Sequence, residues 1–217
     1  EVGVGQPGER ITMDWAEEYD VLVAGSGAGG MAGAYTAARE GLSVCLVEAA
    51  DTFGGTTAYS GGGGAWFPAN PVLLRAGTDD TIEDALEYYR AVVGDRTPAD
   101  LQETYVRGGA ALVAYLEEDD HLSFEPYPWP DYFGDAPKAR RAGQRHIIPT
   151  PLPVPAAPEL RSVVRGPLDH DRLGTPQPDD LFIGGRALVA RFLTALATYP
   201  HATLVRETAL AELVVED

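Results

Sequence analysis

YDVLVAGSGAGGMAGAYTAAREGLSVCLVE, residues 19–48, carries the order of signals that decides the fold. Tyr19 to Gly25 is a short β-branched apolar run ending in glycine, which reads as a strand buried on both faces. Ala28 to Glu40 reads as a helix, and Gly30, Ala34 and Ala38 recur along it every four residues. That spacing makes a stripe of small residues, by which a helix can press close to a sheet. Gly41 ends the helix, and LSVCLVE (42–48) follows as a second strand. Strand, helix and strand within about 30 residues make a βαβ unit with a right-handed crossover. The fold class expected is α/β, a Rossmann-like domain with a parallel sheet.

The turn between the first strand and the helix is GSGAGG, which fits G-x-G-x-x-G at Gly25, Gly27 and Gly30. Glycine-rich hexamers arise often in a chain with 25 glycines, so the pattern alone decides little. Its context raises it: a strand precedes it, a helix opens on it, and an acid, Glu48, closes the next strand eighteen residues after the third glycine. Gly25 suits the tight turn, Gly27 lets a pyrophosphate approach the backbone, and Gly30 lets helix and strand pack. The helix N-terminus offers unpaired N–H groups and a partial positive charge to phosphates. Glu48 can accept hydrogen bonds from ribose hydroxyls and would repel a 2′-phosphate, which leaves NAD or FAD.

A second glycine-rich run, GGTTAYSGGGGAWFPAN (54–70), chooses between them. A nicotinamide enzyme has no general need for it, whereas a flavin is longer and must be threaded across the domain. Gly54, Gly55, Thr56 and Thr57, then Ser60, Gly61, Gly62 and Gly63, can supply N–H donors and hydroxyls along that path. The expected cofactor is therefore FAD, in a Rossmann-like FAD-binding domain. Trp66 and Phe67 at the end of the run read as core packing or a wall of the flavin pocket.

Further along, TIEDALEYYRAVVG repeats apolar residues at helical spacing and stops at Gly94. TPADLQETYVRGGAALVAYLEE starts a helix with Thr97 as N-cap and Pro98 at the first helical position, with a kink expected at Gly108-Gly109. Residues 126–158 hold nine of the seventeen prolines, which predicts an extended loop serving as a lid or binding loop. GGRALVARFLTAL reads as another helix, then ATLVRE and ALAELVVE as strands running up to Asp217. Those strands need sheet partners, so the domain, residues 19–217 after a polar tail over 1–18, reads as incomplete.

Composition narrows the function classes. The net charge is −17, with fifteen Arg and one Lys, a poor match to phosphate-backbone binding, so no nucleic-acid partner is expected. The one basic cluster, Lys138, Arg140, Arg141 and Arg145, reads as a solvated loop. The single cysteine, Cys45, excludes an internal disulfide and a thiolate cage, and reads as a buried inert thiol. The four histidines are scattered without helical ligand spacing, so no metal site is expected. No apolar run reaches the roughly 18–20 residues needed to span a bilayer, and no secretory signal is visible.

The stretch from DVLVAGSGAGG to SGGGGAWFPAN resembles the flavoprotein family that contains fumarate reductase and the 3-ketosteroid dehydrogenases. The S-G-G-G-x-W-x-P-x-N pattern places it nearest the 3-ketosteroid Δ1-dehydrogenase branch, here with one extra glycine between Ser60 and Trp66. The likeness continues through DALEYYRAVVGD, YPWPDYFGD and GGRALVARFL. It implies dehydrogenation of a 3-ketosteroid A ring: a polarised ketone, a tyrosinate that removes the carbon-2 proton, and hydride transfer from carbon 1 to flavin N5. It implies that FAD is held by Gly25, Ser26, Gly27, Ala28, Gly29 and Gly30, by Glu48 and Ala49, and by the second glycine run. It places Leu210 beside the adenine through its backbone. One catalytic tyrosine lies in PDYF, which makes it Tyr132, with Tyr127 as runner-up. The implied partners are a steroid-like substrate, an electron acceptor, and further polypeptide or a partner chain bearing the substrate domain. The implied location is cytoplasmic or membrane-peripheral. A fumarate-like reductase and a non-catalytic flavin-binding subunit stay open as alternatives.

Overall fold

The strand, helix and strand expected from residues 19–48 fold in that order in the computed structural model, which describes residues 17–174 and 180–215. Most of the expected N-terminal tail lies outside the described residues. The elements, in chain order, are β1 (Val21–Ala24), α1 (Ala28–Arg39), β2 (Val44–Val47), β3 (Ala65–Trp66) and α2 (Pro71–Arg75). There follow α3 (Ile82–Val93), α4 (Ala99–Glu117), β4 (Phe124–Tyr127), β5 (His146–Pro149) and β6 (Leu152–Pro153). The last are α5 (Leu168–Leu173), β7 (Leu181–Phe182), α6 (Gly184–Leu196) and β8 (Ala202–Val205). None of the described helices is long and apolar enough to cross a membrane.

β1, β2 and β8 form a parallel sheet with β2 in the middle, in the register Val21, Val44, Ala202 and Val23, Leu46, Leu204. Those six side chains share the face on which α1 and α6 pack. From α1 come Met31, Ala34, Tyr35 and Ala38, all fully buried, so the small-residue stripe does face the core. All four residues of β2 are buried, including the thiol of Cys45. β1 departs from the sequence expectation, because its burial alternates and Leu22 is 54% exposed. β1 is the sheet's edge among the described residues, and α1 and α6 cover only the opposite face.

The second body of the chain joins an antiparallel sheet, ordered β3, β5, β4, to helices α2, α3 and α4. Local chemistry starts its helices. Buried Asn70 accepts from the N–H groups of Val72 (2.9 Å) and Leu73 (3.2 Å), with Pro71 as first helical residue. Thr81 caps α3 by accepting from Asp84 N–H at 3.1 Å. α4 starts one residue later than the Thr97 cap implied, with Pro98 at the N-cap. It runs unbroken through Gly108-Gly109, where a kink was expected. Gly109 serves close packing instead: a Cβ there would lie 2.7 Å from Phe67 Cδ1.

Two other expectations change. The Pro-rich segment 126–158 is not loop throughout, since it contains β5 and β6 and completes β4. Proline tolerates these positions because Pro126 and Pro149 lie in short strands of a small sheet, where few ladder bonds are lost. The irregular part is Pro128 to Arg145, the connection between β4 and β5. ATLV becomes β8, but ALAELVVE is unpaired as far as it is described, and Leu213 and Val215 are exposed. After β8 the chain turns at Glu207 (φ +55°), and Glu207 and Thr208 N–H donate to the Ala50 and Glu48 carbonyls. That turn ends the pairing.

Candidate functional site

The carboxyl ends of β1 and β2 meet at the GSGAGG loop. Gly25 adopts φ +94°, open to glycine at little cost, and its N–H donates to Val47 O at 2.8 Å. A Cβ on Gly30 would lie 1.9 Å from the Gly25 carbonyl oxygen, so the helix can approach the loop only without one. α1 begins after Gly27, which brings no side-chain cap. The Ala28 N–H instead donates to Thr57 Oγ1 at 2.9 Å, a bond spanning from one glycine run to the other. The N–H groups of Gly29 and Gly30, in the first turn, have no intrahelical acceptor and sit at the positive end of the helix dipole. Nothing lies within 4 Å of where a Gly29 Cβ would be, so this end has room beside it.

Glu48 ties the loop together. Its Oε2 accepts from Ser26 N–H at 3.0 Å and from the Ser26 hydroxyl, and its Oε1 accepts from Ala50 N–H at 2.9 Å. Burial opposes ionisation, yet these bonds and one from Ala49 N–H outweigh it and hold the carboxyl below the usual glutamate range. Ser26 is fully buried, and its Oγ also accepts from Gly54 N–H at 2.8 Å. It thereby links Glu48 to the second run, a role beyond what the sequence predicts, for which a small hydroxyl between two glycines of the loop is the one local signal.

The second run folds back on the first, with a Gly55 Cβ position 3.8 Å from Gly27 backbone. Thr56 precedes a short turn of 3₁₀ helix over Thr57–Tyr59. Past it, the glycines answer to protein contacts. Gly63 N–H donates to Ser60 Oγ at 3.0 Å, and Gly185 N–H donates to Ser60 O at 2.8 Å. A Cβ on Gly63 would lie 2.7 Å from Gly184, at the start of α6, and one on Gly62 would lie 2.6 Å from Trp129 Cη2. Only Gly61 of this group has open space around it. Bare backbone here therefore seats α6 and the Trp129 indole. Gly62→Val should push Trp129 aside at about 1–3 kcal/mol of overpacking and lower the ratio of bound flavin to protein, read from visible absorbance. Adding Trp129→Ala should restore it; no recovery would mean that the clash is not the cause.

Trp66 and Phe67 pack, partly buried, against the apolar clusters of α2, α3, α4 and β5. Trp66 lies among Tyr88, Tyr89 and Tyr105, and Phe67 contacts Tyr105. Tyr132 sits in the connection between β4 and β5 and is 85% exposed, with its ring 6.4 Å from His146 edge to face. Tyr127 and His146 instead pack on Trp129, at 4.5 and 5.9 Å. Burial pushes the His146 imidazole down, partly offset by its bond to Trp129 O. The basic cluster needs a correction in part: Lys138 and Arg141 are exposed as a solvated loop would have them, but Arg140 is partly buried and Arg145 is not solvated at all. Arg145 is fully buried and bonds Asp80 through Nε (2.7 Å) and Nη2 (2.9 Å), and Asp131 through Nη1 (2.8 Å). Arg140 bonds Asp79, and Lys138 pairs with Asp84. Leu210 is half-exposed, two residues beyond Thr208 and its bond to Glu48 O.

Residues 20–217 match the FAD binding domain family. The chain belongs to that family. FAD is accordingly the cofactor of this flavoprotein chain, and the glycine loop, with open space at Gly29 beside the start of α1, leaves room for a phosphate. It is 38% identical over 206 residues to a 3-oxosteroid 1-dehydrogenase of Rhodococcus opacus, covering 94% of this chain and 39% of the relative. The crystal structure of 3-ketosteroid delta1-dehydrogenase from Sterolibacterium denitrificans, in complex with 1,4-androstadiene-3,17-dione, superposes with a TM-score of 0.76 at 25% identity. That match covers 92% of this chain and 42% of the other. A flavocytochrome c3 fumarate reductase shares the fold at 19% identity and a TM-score of 0.61, over 93% of this chain and 28% of the other. The flavoprotein chain thus spans about two fifths of the length of the first two.

Proposed function

We propose that this flavoprotein chain is the FAD-binding part of an enzyme that dehydrogenates the A ring of 3-ketosteroids. The observation that carries the reading is a juxtaposition. The second glycine run seats Trp129 on Gly62, and the same connection then presents Tyr132 outward. A steroid-dehydrogenating relative matches over nearly the whole chain, whereas the fumarate reductase likeness is one of fold. When bound, FAD supplies the hydride acceptor.

The chain's own residues divide the work. Gly25, Ser26, Gly27, Ala28, Gly29 and Gly30 cradle the pyrophosphate with helix N–H groups and dipole. Glu48 and Ala49 frame the ribose, and Leu210 lies toward the adenine. Gly54, Gly55, Thr56 and Thr57 carry the path onward to Ser60, Gly61, Gly62 and Gly63. Tyr132 is the chain's catalytic tyrosine, its phenolic oxygen taking part in removal of the carbon-2 proton. Further polypeptide, or a partner chain, supplies the substrate domain and covers Tyr132. The electron acceptor and a cytoplasmic or membrane-peripheral setting belong to the same proposal.

The test uses the complete enzyme with 4-androstene-3,17-dione and an artificial electron acceptor. Steroid turnover is expected, and Tyr132→Phe should lower kcat by about 10²–10⁴-fold at unchanged flavin content. Absence of steroid turnover alongside fumarate reduction would sink the proposal.

A further inference from the structure

Asp131 is buried, whereas the two residues that follow it, Tyr132 and Phe133, are exposed. Both neighbours of Tyr132 are anchored. Asp131 Oδ1 accepts from Trp66 Nε1 at 2.8 Å, and Oδ2 accepts from Arg140 N–H at 2.9 Å and Arg145 Nη1 at 2.8 Å. The Asp131 N–H donates to Arg140 O at 3.0 Å. On the other side, Phe133 N–H donates to Tyr88 Oη at 3.4 Å, and the Arg145 guanidinium lies 5.2 Å from the Tyr88 ring centroid. Arg145 also grips both oxygens of Asp80, the residue before the Thr81 cap of α3. The side chains of Asp80, Arg145 and Asp131 are 0%, 0% and 1% exposed.

We propose that Asp131, locked by Arg145 and Asp80, is a positioning residue that sets where Tyr132 stands. This rests on the assignment of Tyr132 in the function proposed above. A buried ion pair stabilises no better than well-packed apolar residues of the same volume, so stability alone is a poor reason to bury three charges. What the guanidinium fork adds is direction. It meets one carboxylate with two parallel bonds and a second carboxylate from the remaining nitrogen, so the Asp131 backbone has one place relative to α3 and β5. Among the described residues no backbone hydrogen bond holds Tyr132 itself, and it inherits that place from its neighbours. A proton-transferring group displaced by about 1 Å loses roughly 10²-fold in rate, which makes such an anchor worth its burial.

The experiment compares Asp131→Asn, Tyr132→Phe and their combination in the complete FAD-loaded enzyme. The readouts are kcat per bound flavin, KM, flavin content and Tm, and Asp135→Asn, at an exposed ion pair with Arg141, serves as control. Asp131→Asn keeps the side-chain shape and leaves the Arg145–Asp80 pair intact. It should lower kcat per bound flavin by about 10²-fold with KM and flavin content nearly unchanged. In the Tyr132→Phe background it should add nothing, because both changes act on one phenol. A lower Tm with unchanged kcat would overturn the proposal and leave the network a purely structural one. So would full multiplicative loss in the double variant, since Asp131 would then act elsewhere. Full turnover by Tyr132→Phe would instead refute the assignment of Tyr132, and this proposal with it. If Asp131→Asn does not fold, Trp66→Phe, which removes the donor to Oδ1 together with part of the ring packed among Tyr88, Tyr89 and Tyr105, should lower kcat per bound flavin about tenfold beyond any change in Tm; no loss of kcat there would overturn the proposal equally.

Discussion

Replacing Arg145 with Met is expected to lower the stability of this chain by about 3–5 kcal/mol, the range for breaking a buried ion pair by removing one partner. The native guanidinium makes three charge-assisted hydrogen bonds and lies 5.7 and 5.2 Å from the Trp66 and Tyr88 ring centroids. Burial works against its charge, but Asp80 and Asp131 more than offset that and raise its pKa above the ordinary arginine value. Without it, two buried carboxylates lose the cation they share, and Arg140, whose Nε stands 3.4 Å from Asp80 Oδ1, is only partly buried and is also committed to Asp79, so it compensates in part at Asp80 alone. Met fills much of the volume, so the loss is electrostatic rather than a cavity. Arg145→Lys should fall between, since an ammonium keeps the charge but cannot bond both carboxylates in a fork. Equilibrium urea unfolding measures this as a lower midpoint at unchanged slope. A loss under about 1 kcal/mol would place the pair with surface salt bridges, contrary to its burial.

That network was the least legible part of the chain. Arg145 lies among prolines, glycines and other basic residues, a composition that belongs to solvated loops, and its acidic partners stand 65 and 14 residues away. Nothing local marks a charge for burial; only β5, hidden in the same Pro-rich run, carries it inside. The βαβ unit was legible for the opposite reason. Its strands, glycine turn and small-residue stripe are set by short apolar runs and a four-residue spacing within 30 residues, and Gly30 answers to Gly25, a neighbour close in sequence. The second glycine run lay between these cases. Its meeting with the first run could be anticipated from Glu48 and the order of elements. Its contacts with Trp129 and α6 could not, because they bring together segments remote in sequence. ALAELVVE shows the limit of period-two reading: alternation marks a face to be covered, and pairing depends on partners that these residues do not include.

Alanine at Gly30 and alanine at Gly33 should have opposite effects, although they are one turn apart on α1. Gly33 is exposed, with nothing within 4 Å of its Cβ position, so Gly33→Ala should gain about 0.5–1 kcal/mol from helix propensity alone. At Gly30 the same methyl would lie 1.9 Å from the Gly25 carbonyl oxygen and 3.4 Å from Val23 Cγ1. The contact is with backbone, which no rotamer change can relieve. Either α1 lifts from β1 or the loop gives up the turn at Gly25 and its bond to Val47 O, and both movements pull the helix N-terminus from the place where it faces Thr57. Close-packed interiors resist such shifts, so the propensity gain is overwhelmed by roughly 1–3 kcal/mol of overpacking or more. The larger consequence falls on the cofactor. Gly30→Ala should yield protein that binds FAD at least about 10²-fold more weakly, since losing two well-placed N–H contacts to a phosphate, each worth 1.5–3 kcal/mol, already amounts to that. Gly33→Ala should bind FAD as the unmodified chain does. Titration of apoprotein with FAD, followed by fluorescence, compares the two directly. Equal affinity in both variants would mean that the pyrophosphate is held elsewhere and that Gly30 serves packing alone.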